Sequence, residues 1–267
     1  MSFSVTLVGA GNMGGAMLKA WISGGHPASS ITVIDPAPST SMQTYLSETG
    51  IQHLTSAEGA IQPDIIMLAV KPQMMADVLP GLSALIGMQT VAVSVAAGTK
   101  IETIENKLNA KSVIRAMPNT PSLVMRGMTV ACANETVTTQ QKQNVGTLLS
   151  GIGKLEWVED EALIDAVTAV SGSGPAYVFH LAECMADAGE KVGLSKELAQ
   201  ILAIQTIAGA GELLSQSEDS PSTLRQNVTS PGGTTAAALD VLMAEDGMPK
   251  LLADAIAAAK KRSEELS

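Results

Sequence analysis

A glycine-rich turn between an apolar strand and a helix constrains the fold of this chain more than any other feature. Val5–Val8 is a short apolar run, and Gly9-Ala10-Gly11-Asn12-Met13-Gly14 follows it. A helical pattern then continues to Trp21, and a second apolar strand, Ile31–Ile34, ends at Asp35. Strand, turn, helix, second strand and terminal acid therefore stand in the order of a βαβ dinucleotide-binding unit.

Each glycine of this G-x-G-x-x-G turn has its own expected role. Gly9 permits the tight turn, Gly11 lets the backbone approach a pyrophosphate, and Gly14 lets helix and strand pack closely. The glycine pattern alone is a weak signal. It becomes a strong one here because the flanking elements and the acid lie in register.

A second glycine-rich segment, residues 227–235, leads into the helical run that starts at Ala236. Ser230 is a suitable N-cap and Pro231 a suitable first helical residue, so Gly232 and Gly233 fall in the first turn. Bare N–H groups at a helix start, beside two threonine hydroxyls, are suited to a carboxylate-sized anion. The alternative is a tight helix entry that needs glycine only for packing.

The organisation of the chain changes near residue 160. Before it, continuous apolar runs at residues 64–70, 90–95 and 112–117 indicate strands buried on both faces, hence a parallel sheet. Residues 129–133 and 155–158 can add strands at the far edge. After residue 160 only helical spacing remains. We expect a Rossmann-type doubly wound α/β domain over residues 1–160 and an all-α substrate-binding and dimerisation domain over residues 161–267.

Two local patterns predict helix starts inside the first domain. Thr99-Lys100-Ile101-Glu102 and Thr138-Thr139-Gln140-Gln141 both resemble capping boxes. In the second domain, residues 194–214 are apolar around almost the whole helical circumference. Because a small helical domain cannot shield such a helix, we expect a second subunit to cover it. Its uncharged part, residues 198–211, is too short and too polar for a bilayer span.

Composition narrows the class of partner and compartment. The net charge of −10 argues against nucleic acids and anionic membranes. Cys132 and Cys184 lie far apart in apolar contexts, so we interpret both as core residues in a reducing compartment, without metal-ligand spacing. No charged and apolar leader pattern opens the sequence, so a cytoplasmic location is the default expectation.

Taken together, these segments resemble the pyrroline-5-carboxylate reductase family. The resemblance extends over nearly the whole chain and is strongest at residues 227–235. Its motifs are Gly-Ala-Gly-Asn-Met-Gly at 9–14, Ala-Val-Lys-Pro at 69–72, Ala-Ala-Gly at 96–98, Arg-Ala-Met-Pro-Asn-Thr-Pro at 115–121 and Ser-Gly-Ser-Gly-Pro-Ala-Tyr at 171–177.

The resemblance implies a reductase that converts L-1-pyrroline-5-carboxylate to L-proline by hydride transfer from NAD(P)H, the last step of proline biosynthesis. It also implies interleaved helical domains that form a homodimer, with dimers assembling into larger rings. The cofactor residues that the resemblance implies are Gly9, Gly11, Asn12, Met13, Gly14, Asp35, Ser56, Ala69, Val70, Lys71, Pro72, Ala97, Gly98 and Asn227.

For the substrate, the resemblance implies that Gly232, Gly233 and Thr234 offer N–H groups to the carboxylate. Thr235 is the candidate catalytic residue, which would hydrogen-bond the ring nitrogen and supply or shuttle a proton. Glu161 and Ser171 would edge the same pocket. Plain alternatives remain for Glu161 as a helix-start acid, and for Lys71 and Ser56 as loop residues.

The shortage of acid–base residues is consistent with this chemistry. His26, His53 and His180 lie outside any dyad pattern, and we interpret each as structural. A protonated cyclic imine accepts hydride directly, so the protein mainly has to align two reactants. An alcohol-forming reductase would instead need a strong proton donor.

The residues alone leave the choice between NADPH and NADH open. Asp35 at the end of the second strand favours the ribose hydroxyls of NADH and opposes a 2′-phosphate, and residues 36–41 contain no Arg or Lys. The resemblance implies NADPH, whose phosphate the Ser39 and Thr40 hydroxyls can bind. We expect NADPH, with NADH as the alternative.

Two other functions are alternatives for a chain with this layout. A β-hydroxyacid dehydrogenase has a similar layout but needs a lysine on the helix after a glycine-rich segment, and residues 155–190 contain no Lys or Arg. A non-catalytic nucleotide-binding regulatory protein would not need the intact glycine and threonine segment at residues 232–235.

Overall fold

An eight-stranded sheet forms the core of the first part of the chain, in a computed structural model that describes residues 3–266. The strands are β1 (Val5–Val8), β2 (Ile31–Ile34), β3 (Gln52–Leu54), β4 (Ile65–Leu68), β5 (Val91–Ser94), β6 (Ser112–Met117), β7 (Gly127–Ala133) and β8 (Gly153–Val158). Their order across the sheet is β3-β2-β1-β4-β5-β6-β7-β8. All neighbours are parallel except β6 and β7, which pair antiparallel.

The sheet reverses its winding direction beside β1. Val8, the last residue of β1, lies in register with Ile34 of β2 on one side and Leu68 of β4 on the other. The carboxyl ends of three strands therefore meet at one edge, at the switch point where doubly wound folds bind ligands. This confirms the predicted fold class.

Six α-helices accompany the sheet within the described residues. They are α1 (Asn12–Ser23), α2 (Thr40–Thr49), α3 (Met75–Leu82), α4 (Ile101–Leu108), α5 (Thr139–Ser150) and α6 (Leu163–Val167). Alternate strand residues enter two separate cores. Val5 and Leu7 of β1 join one, while Val8 joins the other. The continuous apolar runs of the sequence thus correspond to strands buried on both faces.

The rest of the chain is helical, and residues 161–266 contain no strand. A π-helical segment, Thr168–Gly172, precedes α7 (Gly174–Lys191). Four more helices follow, namely α8 (Lys196–Gln216), α9 (Pro221–Asn227), α10 (Thr234–Leu242) and α11 (Met248–Leu266).

Contacts within the chain define two units. One contains Met1–Gly172 and Lys260–Ser267, and the other contains Ser173–Ala259. We call these the nucleotide unit and the helical unit. The functional division that we expect at residue 160 stays a prediction.

The helix α8 has little cover within its own chain. Ile201 and Ile204 are 64% and 60% exposed. The helix α8 has 21 residues, and an 18-residue window within it has a mean hydropathy of 1.3. By length and composition alone it could cross a membrane, although one such helix is weak evidence for a membrane. The uncharged residues 198–211 are only part of this helix, so the expectation that they are too short and too polar for a bilayer span stays a prediction.

Candidate functional site

The glycine turn forms an open cradle at the switch point. Gly9 has a φ of +89°, and a Cβ there would lie 2.9 Å from the Ala69 carbonyl oxygen. A Cβ on Gly14 would overlap the Gly9 carbonyl oxygen, so close helix–strand packing requires this glycine. Around Gly11, in contrast, a Cβ would meet no atom within 4 Å. Internal packing thus accounts for Gly9 and Gly14 but not for Gly11.

The space at Gly11 fits a dinucleotide pyrophosphate. Gly11 is the N-cap of α1, so the N–H groups of Asn12 and Met13 lie in the first turn, where helical geometry provides no acceptor. A helix N-terminus attracts phosphate through these N–H groups and its partial positive charge. A side chain at Gly11 would stand between the turn and such a ligand.

Asp35 is engaged with the backbone around the glycine turn. Its Oδ2 accepts a hydrogen bond from the Ala10 N–H at 2.7 Å, and its Oδ1 accepts one from the Ala37 N–H at 2.9 Å. The His53 Nε2 lies 2.8 Å from the Asp35 carbonyl oxygen, which can only accept, so this nitrogen carries the proton. The carboxylate therefore fixes the turn, a use that the sequence pattern does not reveal.

Two predicted cofactor segments follow the neighbouring strands at the same edge. Ala69 follows β4, and its N–H donates to the Val8 carbonyl oxygen at 2.8 Å. Lys71 is exposed and precedes a short 3₁₀ segment, Pro72–Met74. Ala97 and Gly98 follow β5 and are half-buried.

The backbone conformation and the close neighbours of Gly98 both require glycine at this position. It has a φ of +71°, which disfavours other residues, and a Cβ there would lie 2.8 Å from the Leu266 carbonyl oxygen at the end of α11. Ser56, in the loop after β3, accepts a 3.3 Å hydrogen bond from the Glu58 N–H. Neither observation tests a role of these two residues with the cofactor, so both roles stay predictions.

Asn119 brings Ser171 to the end of β6. The Asn119 Nδ2 donates to the Ser171 carbonyl oxygen at 3.2 Å and to its Oγ at 3.3 Å, and the Asn119 Oδ1 accepts from the Met128 N–H at 2.8 Å. Met117, the last residue of β6, packs against the core that contains Val8. Its Cε lies 2.6 Å from the position of a Cβ on Gly172, so that glycine makes room for it.

Glu161 is half-buried and holds two partners within the nucleotide unit. Its Oε1 accepts from the Arg115 Nη1 and from the Ile101 N–H, both at 2.9 Å, and Arg115 is only 2% exposed. The predicted capping box at Thr99 was wrong, because α4 begins after Lys100 without a side-chain cap and the distant Glu161 binds its first N–H. These contacts favour a structural role for Glu161, and its predicted contact with substrate stays untested.

The glycine-rich segment of the helical unit begins its helix later than the sequence suggested. Ser230 and Pro231 do not open α10. The Gly233 N–H donates to the Ser230 carbonyl oxygen at 3.0 Å, and Gly232 has a φ of +69°. Pro and a positive-φ Gly at the two central positions are typical of a type II turn. The helix begins at Thr234 with Gly233 as N-cap.

This geometry changes the set of N–H groups that can meet an anion. The Gly233 N–H donates within the turn, which weighs against its predicted contact with the substrate carboxylate. The N–H groups of Thr234, Thr235 and Ala236 lie in the first turn of α10, where no intrahelical acceptor exists. Thr235 is half-buried and Thr234 is exposed. Asn227 is exposed at the end of α9.

The histidine and cysteine side chains outside these segments show no arrangement for metal binding within the described residues. Burial lowers the pKa of His26, whose ring contacts the Ser30 Oγ at 3.1 Å. Burial raises the pKa of the Cys132 thiol, and the nearby Glu161 and Asp160 raise it further. Cys184 is exposed in this chain, so its interpretation as a core residue was wrong. Residues 3–266 contain no group of three His, Cys, Asp or Glu side chains placed to hold a metal ion.

Comparisons with known proteins identify relatives of the whole chain. Residues 161–266 match the family model "Pyrroline-5-carboxylate reductase dimerisation", and residues 4–98 match "NADP oxidoreductase coenzyme F420-dependent". Pyrroline-5-carboxylate reductase of Pseudomonas aeruginosa is 42% identical over 98% of this chain and 96% of its own length. That of Synechocystis sp. is 37% identical over 100% of this chain and 99% of its own.

Solved structures give the same result. A pyrroline-5-carboxylate reductase from Coxiella burnetii superimposes with a TM-score of 0.93 at 35% identity, covering 100% of this chain and 99% of the other. Pyrroline carboxylate reductase of Plasmodium falciparum, solved with NADP bound, gives a TM-score of 0.83 at 29% identity, with 99% and 98% coverage.

Proposed function

This chain belongs to the pyrroline-5-carboxylate reductase family, and we propose that it reduces L-1-pyrroline-5-carboxylate to L-proline with NADPH, the final step of proline biosynthesis. The observation that carries the proposal is the open cradle at Gly11, together with relatives that match the chain over its full length. A glycine that internal packing does not require, in a dinucleotide-binding turn, is accounted for by a bound pyrophosphate.

In this proposal, the turn and the strand ends hold the cofactor. Gly9 and Gly14 shape the turn, and the N–H groups of Asn12 and Met13 bind the pyrophosphate. Ala69, Val70, Lys71 and Pro72 line the ribose on the nicotinamide side, and Ala97 and Gly98 contact the nicotinamide half. Ser56 contacts the adenosine, and Asn227 contributes from the helical unit. The reduced nicotinamide supplies the hydride when it is bound.

The first turn of α10 is the proposed carboxylate site. The N–H groups of Thr234, Thr235 and Ala236 lack intrahelical acceptors, and a helix N-terminus carries roughly half a positive charge. Gly232 keeps the approach free of a side chain, and its φ of +69° sets the type II turn that ends at Gly233. This assignment refines the expectation that the Gly233 N–H itself binds the carboxylate.

Thr235 is the proposed catalytic residue. With the carboxylate at the first turn, the ring nitrogen of the imine lies within reach of a hydroxyl on the same turn. The Thr235 hydroxyl orients this nitrogen and exchanges a proton with it. Alignment of the reactants then accounts for most of the lowering of the barrier, because a protonated imine needs little further activation.

The contacts of Asp35 are compatible with NADPH. Both carboxylate oxygens accept backbone hydrogen bonds, from Ala10 and Ala37, so the acid has a use within the chain that does not depend on ribose hydroxyls. The Plasmodium falciparum relative was solved with NADP bound. We assign the 2′-phosphate to the Ser39 and Thr40 hydroxyls, at the start of α2.

We further propose a cytoplasmic homodimer that can assemble into a ring of dimers and binds neither nucleic acid nor membrane. The match of residues 161–266 to a dimerisation model and the exposed apolar residues of α8 support the dimer. Residues 1–160 then serve the cofactor, and residues 161–267 serve the substrate and the dimer.

A steady-state assay tests the proposal. Purified protein is mixed with L-1-pyrroline-5-carboxylate and either NADPH or NADH, and both the loss of nicotinamide absorbance and the formation of proline are measured. We expect equal amounts of cofactor oxidised and proline formed, with the higher kcat/KM for NADPH. Folded protein that oxidises neither cofactor in the presence of the substrate would overturn the proposal.

A further inference from the structure

The end of the C-terminal helix belongs to the nucleotide unit. Lys260–Ser267 groups with Met1–Gly172 by its contacts, whereas the earlier part of α11 lies in the helical unit. Most residues of α11 are exposed, but Ser263 is buried at 7% exposure. We call residues 260–266 the C-terminal strap.

A buried chain of polar contacts starts at this serine. The Ser263 Oγ donates to the Asp165 Oδ1 at 2.6 Å. The same carboxylate oxygen lies 3.9 Å from the Nη2 of Arg115, on β6. Arg115 is 2% exposed, so the attraction between its charge and the Asp165 carboxylate is only weakly screened by water.

The chain continues to the segment that follows β5. The other terminal nitrogen of Arg115 binds the Glu161 Oε1, and that oxygen also accepts from the Ile101 N–H, each at 2.9 Å. Ile101 is the first residue of α4 and stands three positions after Gly98. Ser263 is thereby linked through three charged side chains to the backbone next to the Ala97 and Gly98 loop.

The strap also touches this loop directly. The Leu266 carbonyl oxygen lies so close to Gly98 that a Cβ there would come within 2.8 Å of it. The contact at Leu266 therefore lies against the loop at Gly98, and the polar chain from Ser263 holds the helix start that follows the loop, at Ile101. The strap can therefore affect cofactor binding through the loop, without a contact between its own side chains and the cofactor.

We propose that the C-terminal strap fixes the Ala97 and Gly98 loop in the shape that receives the nicotinamide half of the cofactor, with Ser263 as the positioning residue. The inference rests on the proposed function in one respect, since it takes the loop after β5 as the nicotinamide side. It adds a role for the C-terminal residues that lies outside the predicted cofactor and substrate residues.

Binding measurements test this role without relying on turnover. Dissociation constants for NADPH and for 2′,5′-ADP, which lacks the nicotinamide half, are measured for the wild-type chain, Ser263→Ala, and a chain that ends at Ser263. We expect both variants to weaken NADPH on the order of tenfold while the constant for 2′,5′-ADP changes less than twofold. Glu264→Ala, an exposed neighbour that pairs with Lys260, is the matched control and should leave both constants unchanged.

Three outcomes decide the matter. Selective weakening of NADPH supports the strap. Equal weakening of NADPH and 2′,5′-ADP binding would indicate a general loss of structure and would overturn the proposal. Unchanged dissociation constants for both ligands in both variants would also overturn it. Ser263→Thr, which keeps the hydroxyl, should restore NADPH binding at least partly. Because the measurements use binding alone, a wild-type chain without reductase activity would defeat the proposed function and still leave this test valid.

Discussion

The Asp35 carboxylate accepts a 2.7 Å hydrogen bond from the N–H of Ala10, inside the glycine turn. An acid in this position is usually interpreted as a ribose ligand that selects NADH. Here the second carboxylate oxygen also accepts from a backbone N–H, that of Ala37. Asp35 therefore stabilises the glycine turn through Ala10. An acid with this role is compatible with NADPH as the cofactor.

Replacing Asp35 should affect both cofactors alike. Asp35→Ser removes the carboxylate that accepts from Ala10 in the turn and from Ala37, and a hydrogen bond of this charged type is worth about 1.5–3 kcal/mol, so the turn loses its support. We expect kcat/KM to fall for NADPH and for NADH, with their ratio changing less than threefold. A marked rise of NADPH relative to NADH would instead indicate that Asp35 repels the 2′-phosphate, as the sequence alone suggests.

Gly11 and Gly14 provide a matched pair that separates binding from packing. Gly11→Ala places a methyl group in open space, so the melting temperature should change by at most about 2 °C while NADPH binding weakens on the order of tenfold. Gly14→Ala forces a methyl group against the Gly9 carbonyl oxygen and should destabilise the fold by at least about 1 kcal/mol. Calorimetry measures the stability of each variant, and titration with NADPH measures its cofactor affinity. Unchanged NADPH affinity in Gly11→Ala would contradict the assignment of the pyrophosphate to the space at Gly11.

The Thr235 hydroxyl should matter for turnover and little for cofactor affinity. Thr235→Val keeps the shape of the side chain and removes the hydroxyl, so we expect kcat to fall tenfold or more, which corresponds to at least about 1.4 kcal/mol of transition-state stabilisation. Thr235→Ser is the control and should keep most of the activity. Full activity of the valine variant would show that the Thr235 hydroxyl has no catalytic role and that the residue only begins the helix.

The exposed isoleucines of α8 should be covered by a second subunit. Ile201 and Ile204 lie three positions apart on one face. Replacing both with Glu would put two charges into an apolar interface, where an unpaired carboxylate is strongly disfavoured. Light scattering should show a dimer or larger assembly for the wild-type chain and a monomer for the double variant, with Lys154→Glu, at an exposed position of β8, as the control. A fully active wild-type monomer at micromolar concentration would contradict this assignment.

Local sequence patterns predicted the nucleotide-binding half well. The turn from Gly9 to Gly14, the strands around it and the capping box at Thr138 all depend on residues that are neighbours in the chain. The capping box, for example, uses the Thr138 hydroxyl and the Gln141 side chain three positions later. Such interactions can be recognised without knowledge of the fold.

The errors arose where a distant residue or a competing turn decided the outcome. The start of α4 is bound by Glu161, 60 residues away in the chain, so the local pattern at Thr99 was misleading. Pro231 suits a type II turn as well as a helix start, and the positive φ of Gly232 selects the turn. The polar edge strand β3 was missed because Gln52 and His53 give it no apolar run. The Arg115, Asp165 and Ser263 cluster joins three separate segments and had no local signal.

An isotope label on the transferred hydride tests the proposed reaction. The purified chain is supplied with L-1-pyrroline-5-carboxylate and with NADPH that carries deuterium at both C4 positions of the nicotinamide, and the proline is analysed by mass spectrometry and NMR. We predict L-proline with one deuterium, located at the former imine carbon. Proline without deuterium, or oxidation of the cofactor without formation of proline, would contradict the assignment of this chain as an imine reductase.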